Sequence, residues 1–258
     1  MTPCLRYFDK RSNAGDLLAP RLAEHWFDGG LKPCGDQDGE AANLLVIGSI
    51  LAWANRASIV CGAGALRAAP LRESPRSVIS VRGPRTLALL HTQSLDAEFL
   101  ADPGVLAPLF FPRAESARHP VGIVPHYVDK DAPWLQQCAA AGVPVIDVEA
   151  PLDSYFRAIQ SCDRILSSSL HGIIFAHAYG IPALWIELSD KVLGDGFKFL
   201  DYYESASCPA AHVIRHRVQL QDDPIRLANS AFVLDIAPLQ AQATKALDSA
   251  RALIERRA

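Results

Sequence analysis

The residues of this chain that are best suited to acid–base chemistry are two histidines that follow short apolar segments. His171 comes soon after Ile165 and Leu166, and His126 follows the segment 121–124. Imidazole exchanges a proton near neutral pH, so either residue could act as a general acid or base. A single histidine on a helix is more often structural, but two at the ends of predicted strands point to a shared site.

Three charged side chains near other predicted strand ends are suited to an anionic or sugar ligand. Arg82 precedes Gly83-Pro84 and could clamp a carboxylate or phosphate through two hydrogen bonds. Lys198 could supply positive charge to a bound anion, and Asp16 could accept a proton from a sugar hydroxyl. A surface ion pair for Arg82, a solvated loop position for Lys198 and a helix cap for Asp16 remain the structural alternatives.

Small residues at the same strand ends could present backbone N–H groups or hydroxyls to a ligand. Gly62-Ala-Gly64 begins like a dinucleotide fingerprint, but Arg67 occupies the third glycine position, so the pattern argues against NAD. Tight turns and helix caps explain these small residues equally well. The small candidate binding residues are Asn13, Gly15, Gly48, Ser49, Gly62, Gly64, Ser168 and Ser169.

The elements that must position these side chains alternate between short apolar segments and helix-like segments. Such alternation predicts βαβ units and hence an α/β fold with parallel sheets flanked by helices. Ser167 to Ser169 can cap a helix that is apolar on all faces, so this helix around His171 is expected to be buried. The predicted strands cover residues 5–8, 42–47, 57–61, 77–81, 121–124, 143–148, 165–166 and 183–186, and the predicted helices cover 17–27, 134–141, 154–162 and 238–258.

Prolines and arginines interrupt this alternation over residues 108–120, which we interpret as a linker between domains. The linker divides the chain into an N-terminal domain, residues 1–115, and a C-terminal domain, residues 116–258, which includes the C-terminal helix. Ligands of open α/β sheets bind at the carboxyl ends of the strands. The candidate residues of both domains are therefore expected to meet in a cleft.

The overall composition excludes several classes of protein. Half of the 258 residues are hydrophobic, which argues against disorder, and the net charge of −3 argues against a nucleic-acid-binding surface. The six cysteines are scattered and include no CxxC pair, so we expect reduced thiols rather than disulfides or a zinc site. The first residues lack the apolar region of a signal peptide, and no apolar segment reaches membrane-spanning length, so the expected location is the cytoplasm.

The candidate residues occur within short motifs that follow one another in a fixed order over residues 13–203. Together these motifs resemble the polysaccharide pyruvyltransferase family, and most of all the xanthan-type ketal pyruvyltransferases of bacterial exopolysaccharide biosynthesis. The motifs are Asn13-x-Gly15-Asp16, Gly48-Ser49, Gly62-x-Gly64, Val81-Arg82-Gly83-Pro84, Asp102-Pro103-Gly104, Pro125-His126-Tyr127, Ser167-Ser-Ser-Leu-His171-Gly172 and Phe197-Lys-Phe-x-Asp201-Tyr202-Tyr203.

The resemblance implies two Rossmann-like domains that face a cleft, as in GT-B glycosyltransferases, with the acceptor on the N-terminal side and the donor on the C-terminal side. It implies phosphoenolpyruvate as donor, a hexose of an exopolysaccharide repeat unit as acceptor, and a pyruvate ketal, commonly across O4 and O6, as product. It implies no cofactor and no metal. Such acceptors are commonly carried on polyprenyl diphosphate, which would bring the enzyme into peripheral contact with the inner membrane.

Within this reaction, His171 is our first choice for acid–base catalysis and His126 our second, while Asp16 would activate a sugar hydroxyl. Many relatives have an arginine where this chain has Ser169, so Arg82 is expected to bind the donor carboxylate in its place. Two alternatives stay open: a GT-B-type glycosyltransferase that uses a sugar nucleotide, and a non-catalytic subunit of an exopolysaccharide assembly complex, which the serine at position 169 would suit.

Overall fold

Two parallel β-sheets form the centre of the protein. The computed structural model describes residues 2–35, 41–114 and 118–256. The strands within this part of the chain are β1 (Cys4–Arg6), β2 (Asn43–Leu45), β3 (Ser58–Cys61), β4 (Ser77–Val81), β5 (Phe99–Leu100), β6 (Gly122–Val124), β7 (Ile165–Ser167), β8 (Ala183–Glu187) and β9 (Arg215–Arg217). The first sheet has the order β1-β2-β3-β4-β5 and the second has the order β6-β7-β8-β9, with every neighbouring pair parallel.

Helices connect these strands and flank both sheets. They are α1 (Ala14–Trp26), α2 (Pro84–His91), α3 (Pro133–Ala140), α4 (Leu152–Gln160), α5 (Leu170–Ala178), α6 (Phe197–Ser205), α7 (Pro224–Ala228) and α8 (Ala237–Glu255). Across the described ranges, none of the helices combines the length and the apolar character that crossing a membrane requires. The prediction of an α/β fold with parallel sheets and flanking helices is confirmed.

The strands β2, β3 and β7 consist entirely of buried residues. This burial is typical of parallel strands whose two faces are both covered by helices. It explains why short, continuously apolar segments predicted the central strands. It also explains why polar residues concentrate just beyond the strand ends, where the backbone leaves the covered part of the sheet.

The predicted strand over residues 143–148 is wrong. This segment makes a single bridge, between Val145 and Ile123, and Pro144 has no N–H with which to extend the pairing. Two strands, β5 and β9, escape the sequence-based prediction. The first has only two residues, and the second reads Arg-His-Arg, so neither shows the apolar pattern that signals a strand.

The segment that contains Lys198 is the helix α6 rather than the predicted polar loop. The helix buries Phe199, Tyr202 and Tyr203, and it takes Lys198 and Asp201 into the interior with them. The ring of Phe199 stacks on Trp185 of β8, with the ring centroids 4.3 Å apart. Aromatic packing therefore holds the helix against the second sheet and carries its two charged residues out of water.

One apolar core extends through both halves of the chain. It contains Leu18 and Leu44 from the first half, Phe156 and Phe175 from the second half, and Leu247 from the last helix. All residues of α5 from Leu170 to His177 are buried, as its uniformly apolar sequence predicts. The two halves therefore share a core in addition to the smaller clusters that each half has for itself.

The last helix, α8, packs against the first sheet although it follows the second sheet in the sequence. It contacts β3, β4 and β5, and the side chain of Gln242 accepts a hydrogen bond from the backbone N–H of Leu100 at 2.9 Å. The indole N–H of Trp26 donates to Asp248 of the same helix. The boundary predicted between residues 115 and 116 lies outside the described residues, so the division into two domains stays a prediction.

The expectation that all cysteines are reduced is wrong at one place, because Cys4 of β1 and Cys34 form a disulfide. The backbone bridge between Leu5 and Pro33 brings the two segments side by side. The bonded residues are 30 positions apart, which hides their proximity in the sequence. The remaining cysteines are free and buried: Cys61, Cys138, Cys162 and Cys208.

Candidate functional site

A cavity of about 260 Å³ lies between the two halves of the chain, beyond the carboxyl ends of strands from both sheets. We call it the cleft cavity. Seven of the residues predicted from the sequence line it, namely Asn13, Asp16, Ser49, His126, Ser169, His171 and Lys198. The other lining residues are Phe8, Ile50, Trp53, Leu66, Tyr127, Leu170 and Leu193. The topology thus gathers candidates from both halves around one space, as the strand-end rule predicts.

His171 lies in the first turn of α5, and its ring packs against the first turn of α1. A Cβ atom on Gly15 would lie 1.9 Å from Nδ1 of His171, so a larger residue at position 15 would displace the ring. The ring also stacks on Phe175, one turn further along α5, with the centroids 5.5 Å apart. Gly15 therefore acts by leaving space for the ring of His171. The backbone N–H of Gly15 already donates to Asn13.

A buried carboxylate faces the other nitrogen of His171. The Oδ2 atom of Asp102 lies 3.8 Å from Nε2 of His171, and neither atom has a hydrogen-bond partner among the described residues. The other carboxylate oxygen accepts the N–H of Gly104 at 2.9 Å, which fixes its orientation. Unpaired polar atoms are costly in a protein interior, and a small rotation of the ring would join these two. The sequence indicates a turn at Asp102-Pro103-Gly104 that could also line the site, but it does not reveal this pairing.

Burial shifts the pKa values of the two charged side chains in the cleft cavity toward neutrality. Loss of hydration raises the pKa of Asp16 to about 6, although the nearby His171 and Lys198 act in the opposite direction. Loss of hydration lowers the pKa of Lys198 to about 8, and repulsion from Arg82 adds to this shift. Asp16 can therefore exchange a proton near neutral pH, while Lys198 still carries its charge there.

His126 is a neutral imidazole at physiological pH. Burial is the largest cause that lowers its pKa to about 3, followed by the positive charges of Lys198 and Arg11. Its Nδ1 atom accepts the N–H of Val128 at 3.4 Å, which assigns the ring proton to Nε2. His126 is therefore suited to donate a hydrogen bond to a ligand, and the acid part of its predicted acid–base role is withdrawn.

Arg82 does not line the cleft cavity, which revises its predicted role as a ligand for the donor carboxylate. Its side chain is fully buried, and its guanidinium donates to Asp201 Oδ2 at 3.0 Å, to Ser49 Oγ at 2.9 Å and to the carbonyl of Ala65 at 2.5 Å. A Cβ atom on Gly64 would lie 2.3 Å from the guanidinium carbon, so this glycine provides the space for it. Arg82 thus connects the end of β4 to α6 and to Ser49.

The backbone N–H groups of two glycines predicted to bind a ligand are engaged within the protein. The N–H of Gly62 donates to Ser80, and that of Gly64 donates to Gly48, both at 2.9 Å. The expectation that these groups hold an anion is therefore revised. Gly48 and Gly62 have φ values of +95° and +108°, which favour glycine, so they shape the turns beyond the strands.

Two serines before α5, Ser168 and Ser169, have different roles. The hydroxyl of Ser168 donates to Asp129 at 2.7 Å and accepts the backbone N–H of His126 at 2.9 Å, which ties the ends of β6 and β7 together. Ser169 precedes the helix and lines the cavity, but it does not make the predicted side-chain cap. The first-turn N–H groups of α5 therefore lack that cap at the edge of the cavity. At α1, by contrast, Asn13 does cap the helix.

A second histidine of α5 shows how a structural histidine differs from His171. The two ring nitrogens of His177 pair with the hydroxyl of Tyr202 and the carbonyl of Phe232, each at 3.1 Å. Burial lowers the pKa of His177 to about 4. Both of its nitrogens have partners inside the protein, whereas Nε2 of His171 has none in the part of the chain that the structure describes.

Sequence reasoning missed Asp102 as a partner of His171 and Trp53 as a wall of the cleft cavity. Trp53 follows Gly48-Ser49 closely, and this proximity is the signal that could have found it. No group of three or more His, Cys, Asp or Glu residues is arranged to hold a metal ion within the described ranges.

Comparison with known proteins assigns the chain to a family. Residues 4–190 match the model of the family named polysaccharide pyruvyl transferase. The chain is also 32% identical over 209 residues to the uncharacterized protein L143 of Acanthamoeba polyphaga mimivirus, a match that covers 77% of this chain and 72% of that protein. The protein therefore belongs to the polysaccharide pyruvyl transferase family, as its motifs predict.

A remote likeness to a solved structure accompanies this assignment. An uncharacterized protein of Klebsiella pneumoniae subsp. pneumoniae has a TM-score of 0.47 and 11% sequence identity to the chain. The superposition covers 83% of this chain and 92% of that one.

Proposed function

We propose that the protein transfers a pyruvyl group from phosphoenolpyruvate to two hydroxyls of a hexose in an exopolysaccharide repeat unit. The product is a pyruvate ketal, 4,6-linked as in the xanthan-type enzymes, and phosphate is released. The observation that carries this proposal is the convergence of Lys198, Asp16 and His171 on the cleft cavity at the start of α5. These groups match a small dianionic donor and an acceptor that must lose protons.

The donor carries a phosphate and a carboxylate, so its site needs positive charge and N–H donors. Lys198 supplies a buried cation at the cavity, and the amino terminus of α5 supplies the positive end of a helix dipole. Ser169 adds a hydroxyl where many relatives have arginine. With the guanidinium of Arg82 bound to protein groups, Lys198 is our candidate for the donor carboxylate or phosphate.

His171 and Asp16 divide the proton transfers of the proposed reaction. The carboxylate of Asp102 lies behind the ring of His171, with Oδ2 3.8 Å from Nε2. His171 protonates the methylene carbon of phosphoenolpyruvate, which makes the neighbouring carbon electrophilic. Asp16, with its pKa near neutrality, accepts the proton of the attacking hydroxyl.

The bonds and protons balance over one addition and one substitution. The first sugar hydroxyl forms a C–O bond to the electrophilic carbon. The second hydroxyl forms another C–O bond there as the bond to the phosphate oxygen breaks, and phosphate leaves with that electron pair. The proton of the first hydroxyl passes through Asp16 to His171 and restores its acid form. The proton of the second hydroxyl leaves with the phosphate, so no further co-reactant is required.

The arrangement of the proposed substrates follows the position of the cleft cavity between the two halves. Lys198 and His171 come from the second half and would hold the donor, while Asp16 comes from the first half and would meet the acceptor. A GT-B-like arrangement of the two halves would give this division. An acceptor on polyprenyl diphosphate would be reached by peripheral contact of a cytoplasmic protein with the inner membrane.

The proposal is tested by incubating the purified protein with phosphoenolpyruvate and a lipid-linked or synthetic oligosaccharide. We expect phosphate release together with addition of a pyruvyl ketal to the glycan, seen by mass spectrometry. His171→Ala should abolish both signals without unfolding the protein, whereas His212→Ala, at an exposed histidine, should leave them unchanged. Near-normal turnover by His171→Ala would remove that residue from the mechanism.

A comparison of donors separates this function from the alternatives. Transfer from a nucleotide sugar, with no binding of phosphoenolpyruvate, would identify a glycosyltransferase instead. Absence of turnover with every donor, in protein shown to be folded, would favour a non-catalytic subunit.

A further inference from the structure

The side chain of Trp53 stands apart from the other tryptophans of the protein. It is 41% exposed, whereas Trp26, Trp134 and Trp185 are exposed by 6% or less. It ends the short 3-10 turn 51–53 and packs against Phe8, with the ring centroids 6.2 Å apart. An exposed indole that is held in place by a second ring offers a flat apolar surface to a ligand.

Trp53 lines two concave spaces. One is the cleft cavity, and the other is a neighbouring groove of about 260 Å³ that we call the Trp53 groove. The groove is lined further by Arg6, Tyr7 and Asp9 at the end of β1. The two spaces therefore meet at the indole, so a ligand longer than one sugar can occupy both.

The groups of the Trp53 groove match a sugar chain. The indole and the phenol of Tyr7 offer flat apolar surfaces for the C–H faces of pyranose rings, and Asp9 and Arg6 offer an acceptor and donors for hydroxyls. Nε of Arg6 is buried and has no partner in the part of the chain that the structure describes. Such an unpaired donor is costly unless a ligand completes its hydrogen bonding.

We infer that the Trp53 groove binds the oligosaccharide chain of the acceptor, with the sugar next to the modified hexose stacked on Trp53. The inference rests on the proposed function, because that function places the modified hexose in the cleft cavity beside Asp16. A polysaccharide substrate continues beyond its reacting sugar, and the groove continues the cavity on the same side as Asp16. The protein thus distinguishes an oligosaccharide from a free hexose by contacts outside the reacting centre.

Binding is tested without any donor by acrylamide quenching of tryptophan fluorescence. The wild-type protein should show one accessible tryptophan, and Trp53→Phe should remove it. Cellotetraose, mannotetraose and galactotetraose are the probes, each compared with its free hexose. At least one tetrasaccharide should protect Trp53 from acrylamide while its hexose does not. Protection by none of the three, or equal protection by the hexose, would overturn the inference.

Kinetics with phosphoenolpyruvate supply the second measurement. We expect Trp53→Ala to raise KM for the protected tetrasaccharide about tenfold and to leave KM for phosphoenolpyruvate unchanged. Trp53→Phe should recover part of the loss, and Ile225→Ala, which trims another exposed apolar residue, should change neither constant. An equal rise in both KM values would contradict a glycan-specific role.

The two measurements separate failure of this inference from failure of the proposed function. Protection of Trp53 by a tetrasaccharide without turnover from phosphoenolpyruvate would retain the glycan groove and reject the donor. Turnover with no protection of Trp53 and no effect of Trp53→Ala would retain the reaction and reject the groove.

Discussion

Burial gives Asp16 and Lys198 opposite pKa shifts, and the reaction proposed for the cleft cavity uses both. The carboxyl group becomes basic enough to take a proton from a hydroxyl, and the ammonium group stays charged at neutral pH although it is buried. Neither shift can be deduced from the sequence, because each depends on how deeply the folded chain encloses the side chain.

These shifts give an expected pH dependence. Asp16 must be ionised to accept a proton, so kcat/KM should rise as the pH passes about 6. Lys198 must be protonated to hold the donor, so kcat/KM should fall as the pH passes about 8. The profile of kcat/KM against pH is therefore expected to be bell-shaped, with an acidic limb and an alkaline limb. Initial rates measured below, between and above these two pH values test this expectation.

Substitutions test which residue causes each limb of the pH profile. Asp16→Asn should lower kcat about a hundredfold and remove its contribution to the acidic limb. Lys198→Met should raise KM for phosphoenolpyruvate and remove its contribution to the alkaline limb, while Lys191→Met, at an exposed lysine, should preserve the wild-type profile. An unchanged alkaline limb in Lys198→Met would exclude this residue as its cause.

Asp102 is expected to act through His171 as a positioning residue. Asparagine at this position can still accept the N–H of Gly104, so Asp102→Asn should fold, but its amide would meet Nε2 of His171 as a donor. We expect kcat to fall about a hundredfold at unchanged KM for phosphoenolpyruvate. The ¹⁵N resonances of the imidazole should report the exchanged tautomer. Loss of stability without a change in those resonances would indicate a merely structural role.

At the scale of elements, Arg82 shows how a residue in a family motif can support a site without touching the ligand. It joins β4 to α6, and Asp201 of that helix also accepts hydrogen bonds from the backbone and the hydroxyl of Thr86. Lys198 lies in the same helix. The buried ion pair of Arg82 and Asp201 therefore fixes α6, the helix that brings Lys198 to the cleft cavity.

Arg82→Met should destabilise the protein by about 3–5 kcal/mol, because it leaves the buried carboxylate of Asp201 without its positively charged partner. Arg85→Ala is the matched control, since Arg85 pairs with Glu204 of the same helix at a partly exposed position, and it should cost at most about 1 kcal/mol. Urea unfolding measures both. Replacing Asp201 with leucine in the Arg82→Met variant should recover part of the loss. If Arg82→Met has wild-type stability, Arg82 becomes a candidate for binding the donor again.

At the scale of the whole molecule, a shared core and the returning helix α8 connect the two halves that enclose the cleft cavity. The cavity needs residues from both halves, so its geometry depends on their relative position. A core common to both halves provides that restraint. It also implies that the halves unfold together.

Leu247→Ala tests this coupling. Leu247 is fully buried in α8, and its truncation should cost about 2–5 kcal/mol, whereas Leu220→Ala, at a position 54% exposed, should change the stability by at most about 0.5 kcal/mol. Tryptophan fluorescence and far-ultraviolet circular dichroism should follow one common unfolding transition in both variants. Two separate transitions would show that the halves unfold independently.

The sequence by itself determined the family, the α/β class with parallel sheets, the burial of α5 and the gathering of candidates at strand ends. These features are local or periodic, because apolar segments and motif order are written along the chain. The edge strand β9 was not determined in this way, because it forms by backbone pairing with β8 and carries no apolar pattern. The helical state of the segment around Lys198 was not determined either, because it depends on packing against the distant ring of Trp185.

Only the tertiary structure decided which charged groups are available to a ligand. Arg82 and Lys198 look equally suited in the sequence, but the first has Asp201, Ser49 and a carbonyl as partners, and the second lines the cleft cavity. The carboxylate behind His171, the disulfide of Cys4 and the exposed face of Trp53 likewise depend on contacts between residues far apart in the chain. Such contacts are set by the packing of the sheets, and no local pattern encodes them.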